Sequence, residues 1–175
     1  MKSEKFIKRA YIIAAILAGA VGTLLHFLYK WTGGSYIVGL FSAVNESVWE
    51  HLKLLFIPVF ISTVIENLVY GKAIKNFFFS RLVSVIIGLF SIIALHYGYT
   101  GAIGKRFDFL DISIYFIALI LTYLVSYIMI KKHKEMRGDG ALELLSVMLF
   151  GALTAMFFIF TYYPPSLPIF IPMGS

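Results

Sequence analysis

The chain has no cysteine at any of its 175 positions, and only 14% of its residues are charged. The first absence removes disulfides, thiolate metal sites and a cysteine nucleophile together. The second restricts the fold. A soluble domain draws about a quarter of its residues from Asp, Glu, Lys and Arg, whereas here 60% are hydrophobic and the mean hydropathy is +0.89. Too little polar surface is encoded to cover a water-soluble core, so the composition points to an integral membrane protein. Two chemical motifs are also missing. No glycine-rich stretch ends in Gly-Lys-Ser/Thr, which excludes a P-loop, and there is no H-E-x-x-H pair of a zinc protease. The net charge of +6 would suggest nucleic acid for a soluble domain, but in a membrane chain basic residues mark the cytoplasmic side. No nucleic-acid partner is expected.

Five apolar runs lie at about 10–30, 52–70, 78–99, 110–131 and 140–162, each near the roughly 20 residues a helix needs to cross hydrocarbon. The segments between them are short. The expectation is therefore one all-α domain over 1–175, a bundle of five transmembrane helices in the lipid bilayer. The opening "MKSEKFIKRAYIIAAILAGAVG" starts like a secretory signal, yet its apolar run continues past signal length, which predicts an uncleaved first span. Lys2, Lys5, Lys8, Arg9, Lys72, Lys75, Arg81, Lys131, Lys132, Lys134 and Arg137 fall on one side of this topology. Only Lys30, Lys53, Lys105 and Arg106 fall on the other. The positive-inside rule then places the N-terminus in the cytoplasm and, after five spans, the C-terminus outside.

Within the spans, Ala14, Ala18 and Gly22 stand four residues apart on one helix face, where a neighbouring helix of this chain or a membrane partner can approach closely. Pro58 removes a backbone donor inside the second span and predicts a bend. Glu66, at depth in the same span, is a functional candidate by position; a buried pair, or a bond to Tyr70 four residues on, is the structural alternative. The spans do not pair into similar halves, so no inverted-repeat transporter is encoded.

Polar residues collect at the outer ends. His26 closes the first span, "NESVWEHLK" opens the second, His96 lies near the end of the third, and Asp108 and Asp111 precede the fourth. If residues 45 to 56 are helical, Glu46, Glu50 and Lys53 share a face, while His51 points about 100° away from Glu50. The motif alone then cannot put His51 and Glu50 on one metal, and any metal site must borrow His26 or His96 from other helices. Capping explains part of the same polarity: Asn45 suits an N-cap, and Ser47 with Glu50 suits a capping box. "HYGYTGAIGKRFDFLD" reads as a glycine-rich outer turn, in which Asp111 is alternatively the N-cap of the fourth span and Asp108 a partner for Arg106. "FTYYPPSLPIF" is stiffened by Pro164, Pro165 and Pro168, and is expected to fold back over the mouth of the bundle with Leu167 and Phe170 as plugs. Candidate ligand-binding residues are Asn45, Glu46, Trp49, Glu50, His51, His96, Tyr99, Thr100, Asp111 and Tyr163. Candidate metal ligands are His26, His51 and His96, for a divalent ion; no other cofactor is expected.

The segments "HFLYKWTGGSYIVGLFSAVNESVWEHLK", "HYGYTGAIG" and "FTYYPPSLPIF" together resemble the signature of a family of small bacterial polytopic membrane proteins of unknown function. The resemblance covers nearly the whole chain and is most specific at the "GLFSxVNESVWEHLK" stretch and the "YYPPxLP" segment. It implies a five-span protein of the bacterial inner membrane, with Asn45, Glu46, Ser47, Trp49, Glu50, His51 and Lys53 as motif positions, beside Tyr99, Thr100, Tyr163, Pro164, Pro165 and Pro168. It implies no activity. The chain departs from the family pattern in its last residues, which read "IPMGS".

Three functions compete on these residues. The first is binding or transport of a small polar molecule or lipid headgroup in an outer-facing cavity lined by Glu46, Glu50, His51, His96, Tyr99 and Tyr163. In general form this is similar to the substrate-binding components of vitamin importers, which dock on partners through small residues of their first helix. The second is an outer-leaflet hydrolase or transferase using His51 with a glutamate for acid/base work, with or without a metal. The third is a structural or regulatory role in which the motif only caps and anchors.

Overall fold

A computed structural model of the protein describes residues 4–133 and 139–172. Lys2, Lys134, Arg137, the closing "MGS" and the side chain of His133 lie outside the described set. Among the described residues there are six α-helices and no strand: α1 Glu4–Trp31, α2 Tyr36–Phe41, α3 Val48–Val69, α4 Phe77–Ile103, α5 Asp108–His133 and α6 Gly140–Tyr162. Single 3₁₀ turns stand at Gly71–Ala73 and Pro168–Phe170. All but α2 are long and apolar enough to cross a membrane, so the chain has the form of a multi-pass membrane protein.

Two boundaries differ from the sequence expectation. Residues 45–47 are not helical; α3 begins at Val48 with Ser47 as its N-cap. "HYGYTGAIG" is not a turn, because α4 runs on through Gly98 and Gly101 and stops only at Gly104, whose φ of +77° lies in the left-handed region that favours glycine. The turn into α5 is thereby short. It brings Arg106, Asp108 and Asp111 directly beside the end of α4.

The five long helices alternate in direction, so α1, α4 and α6 start at one end of the bundle, the base, and finish at the other, the mouth. Polar contacts tie the base together. Lys131 Nζ lies 2.6 Å from Glu4 Oε1, Phe78 N donates to Glu143 Oε2 at 2.9 Å, and Asp139 N donates to Asn76 Oδ1 at 3.0 Å.

In lipid there is little hydrophobic drive between helices, so close packing and internal polar bonds must hold the bundle. Ala14, Ala18 and Gly22 are buried, and the helices that occupy this stripe are α3 and α5 of the same chain. Pro58 sits inside α3 and leaves the Leu54 carbonyl without its intrahelical donor. Gly22 faces that carbonyl: a Cβ there would come within 2.6 Å of Leu54 O and closer still to the Tyr115 hydroxyl. The proline-freed carbonyl and the glycine thus belong to one contact.

Among the described residues two Glu–Lys/Arg pairs are buried. Glu66 is bound to Arg81, whose guanidinium lies 4.3 Å from the Tyr11 ring centroid and 4.9 Å from that of Tyr123. Glu66 therefore takes the structural alternative, with Arg81 rather than Tyr70 as its partner, and Arg81 is no loop charge. Lys53 is equally buried. With both removed from the count, Lys5, Lys8, Arg9, Lys72, Lys75, Lys131 and Lys132 still stand at the base against Lys30, Lys105 and Arg106 at the mouth.

Candidate functional site: a histidine-lined cavity at the mouth

The "NESVWEHLK" motif divides into two halves that face different parts of the bundle. Asn45 Oδ1 accepts from Ser47 N at 2.9 Å, and Ser47 Oγ accepts from Glu50 N at 3.3 Å, so Ser47 rather than Asn45 caps the helix. Glu50 does not complete the reciprocal box. Its carboxylate reaches past Ser47 to accept from Val44 N at 3.0 Å and from Thr161 Oγ1 at 3.1 Å. Lys53 Nζ lies 2.6 Å from Glu50 Oε2 and donates to Gly39 O at 2.7 Å and to Thr161 Oγ1 at 2.8 Å. This half is a satisfied buried knot joining α2, α3 and α6. Trp49 extends it, with its ring 4.6 Å from Phe157 and 4.8 Å from Phe170. The proline segment does fold back, with Phe170 seated against α3 and α6 and Ile169 packed on the core. Leu167 stays 54% exposed.

The other half faces α1, α4 and α5. Because Glu46 precedes the helix, it shares no face with Glu50 and Lys53. It turns instead toward His26 and His51, with Glu46 Oε1 3.9 Å from His26 Nε2 and Glu46 Oε2 3.6 Å from His51 Nε2. The two imidazole centroids are 5.4 Å apart. His51 Nδ1 lies 2.8 Å from the Ser47 carbonyl. A carbonyl only accepts, so Nδ1 carries the proton and, in the neutral ring, Nε2 presents a lone pair. Lys30 Nζ and an Arg106 nitrogen approach the same carboxylate at 3.6 and 3.8 Å.

His96 belongs to a second cluster. Its Nδ1 lies 2.8 Å from Asp111 Oδ1, which also accepts from the Tyr99 hydroxyl at 2.8 Å, while Arg106 Nε donates to Asp111 Oδ2 at 2.6 Å. Asp111 is thus a hub in the first turn of α5 and not its N-cap. Thr100 donates to the His96 carbonyl at 2.7 Å, within the last turns of α4. Arg106 also lies 3.3 Å from Asp108. Burial works against the Arg106 charge, but the bond to Asp111 and the carboxylates of Asp111, Asp108 and Glu46 outweigh it, and its pKa is raised.

Both clusters open into one cavity of about 530 Å³ between α1, α3, α4 and α5. Its polar wall is His26, Glu46, His51, His96, Arg106 and Asp111; Gly22, Leu54 and Tyr115 also line it, and Phe27, Ile112 and Phe116 form an apolar side. Those three side chains are 44%, 57% and 42% exposed, so the apolar side is continuous with the outer surface of α1 and α5. Of the ligand-binding candidates, Glu46, His51, His96 and Asp111 line this cavity. Glu50 is buried elsewhere, Tyr163 is 77% exposed away from it, and Asn45, Trp49, Tyr99 and Thr100 serve neighbouring structure. Arg106 and Tyr115 were not among the candidates. The spacing of Arg106 to Asp111 across a glycine-terminated helix end was the available signal for the first; nothing local marks the second.

A family model described as "Family of unknown function (DUF6512)" matches residues 1–173. No curated protein and no solved structure matches the chain.

Proposed function

We propose that this chain, which belongs to that family of unknown function, binds an amphiphile with an anionic headgroup in the mouth cavity. The observation that carries this is the division of the cavity. One wall bears Arg106, His26 and His51 with Lys30 at the rim, beside the carboxylates of Glu46, Asp108 and Asp111, and the other bears Phe27, Ile112 and Phe116, continuous with the membrane-facing surface. A headgroup can meet the first wall while its apolar part leaves sideways between α1 and α5, the geometry expected of a lipid site. With the N-terminus in the cytoplasm, as the charge asymmetry implies, the cavity opens on the outer side of a bacterial inner membrane.

Native mass spectrometry of protein released from mixed phosphatidylglycerol and phosphatidylcholine vesicles tests this. The expected result is preferential retention of the anionic lipid, reduced in Lys30→Ala and Arg106→Ala. Equal retention of both lipids by the unaltered protein would sink the proposal.

A second function has its own observation. The Asp111–His96 pair orients an imidazole as a carboxylate does for a general base, which favours outer-leaflet hydrolysis or transfer. Release of headgroup from a bound lipid, lost in His96→Gln, is the assay. An unchanged lipid after prolonged incubation excludes it without touching the binding proposal.

A further inference from the structure

We infer that His26, Glu46 and His51 form a binding site for a divalent transition-metal ion at the rim of this cavity. The inference shares the cavity with the amphiphile proposal but does not depend on it. One ligand atom from each residue lies within 4.8 Å of the others. Four groups surround the Glu46 carboxylate at 3.6 to 3.9 Å: two imidazole nitrogens, an ammonium and a guanidinium. None reaches hydrogen-bond distance, about 3.2 Å at most for N–H···O.

The pattern suits an ion better than direct pairing. With Nδ1 of His51 committed to the Ser47 carbonyl, its Nε2 turns a lone pair toward a carboxylate. In the neutral ring that arrangement is repulsive unless a cation lies between them; the alternative is a second ring proton on Nε2. Metal-bound histidines commonly donate their second nitrogen to a backbone carbonyl in this way, which fixes tautomer and ring orientation. An ion with bonds of about 2.0–2.2 Å needs its ligands roughly 3.0–3.4 Å apart, so the Glu46–histidine distances of 3.9 and 3.6 Å must close by several tenths of an ångström, and the widest pair of the trio, which lies within 4.8 Å, by up to about 1.8 Å.

Two imidazoles and one carboxylate select Zn²⁺, Mn²⁺, Fe²⁺ or Co²⁺ over Mg²⁺ and Ca²⁺, which prefer oxygen. Three protein ligands leave coordination positions open toward the cavity, as catalytic rather than structural sites do. His96 is not in the set, because among the described residues the group of mutually close ligand atoms is His26, Glu46 and His51.

The competing account is a carboxylate neutralised by Lys30 and Arg106 alone, and it predicts no metal. Tag-free protein in mild detergent, stripped with chelator, is titrated with Co²⁺, whose visible absorption reports nitrogen and oxygen ligation. The expected result is a saturable band at one ion per chain, displaced by Zn²⁺ and confirmed by elemental analysis. His26→Ala and Glu46→Gln should abolish it while the proteins stay monodisperse. Lys30→Met removes a competing positive charge and should tighten binding several-fold, a gain that misfolding cannot mimic. Absence of the band in monodisperse unaltered protein overturns the inference, as does an unchanged band in both His26→Ala and Glu46→Gln. Retention of anionic lipid measured in chelator stays independent, so either proposal can fail without the other.

Discussion

Lys53→Met tests whether the buried half of the motif holds the bundle together. The Lys53 ammonium is fully buried and has three partners, Glu50 Oε2 at 2.6 Å, Gly39 O at 2.7 Å and Thr161 Oγ1 at 2.8 Å. Methionine fills a similar volume but leaves the Glu50 carboxylate charged, with only Val44 N and the Thr161 hydroxyl to stabilise it. Breaking one side of a buried pair costs about 3–5 kcal/mol, because the remaining charge is uncompensated. Glu50→Gln should cost less, about 2 kcal/mol, since Lys53 keeps two neutral acceptors. In the double variant no charge is buried, and the main loss is the donor to Gly39 O, roughly 1–3 kcal/mol. The two changes should therefore couple, with the double variant about 2–6 kcal/mol more stable than the sum of the singles. Reversible unfolding in mixed micelles, followed by circular dichroism, measures all four species. If Lys53→Met unfolds within 1 kcal/mol of the unaltered protein, or if the changes simply add, the knot is not what joins α2, α3 and α6.

Arg81→Met should likewise destabilise by about 3–5 kcal/mol through the orphaned Glu66, and Glu66→Leu on that background should recover most of the loss, read by the same unfolding assay. Gly22→Val drives a side chain into the Leu54 carbonyl and the Tyr115 hydroxyl; the expected loss is about 1–3 kcal/mol, only partly relieved by Tyr115→Phe because the carbonyl remains. Phe170→Ala removes one of the rings packed on Trp49, so tryptophan emission should shift to longer wavelength with no change in helix content. An unshifted spectrum would mean that the proline segment does not cover Trp49 in solution.

Some of this was legible in the residues alone. Low charge and long apolar runs required a membrane bundle, because no arrangement in water could cover so much apolar surface. Helix periodicity was enough to separate His51 from Glu50 and to place Glu50 and Lys53 on one face, three residues apart. The same periodicity failed at Glu46, since it was extended through residues that belong to a capping turn. Ser47 ends the helix there, and one non-helical residue redirects the glutamate from Lys53 toward His26 and His51. Arg81 was miscounted for a related reason: a cation near a span end has the same sequence pattern whether it snorkels to water or turns inward to an acid.

What the sequence by itself determined is the class of fold, the number of spans and the concentration of titratable groups at one end. Those follow from local chemistry and from lengths, which a linear chain displays. Only the tertiary structure decided which groups meet. Glu46 with His26 and His51, His96 with Asp111, and Leu54 with Gly22 are contacts between different elements. Their formation depends on helix direction, on the helix start at Ser47 and on the stop at Gly104, and on how the helices then pack, which no one segment specifies alone.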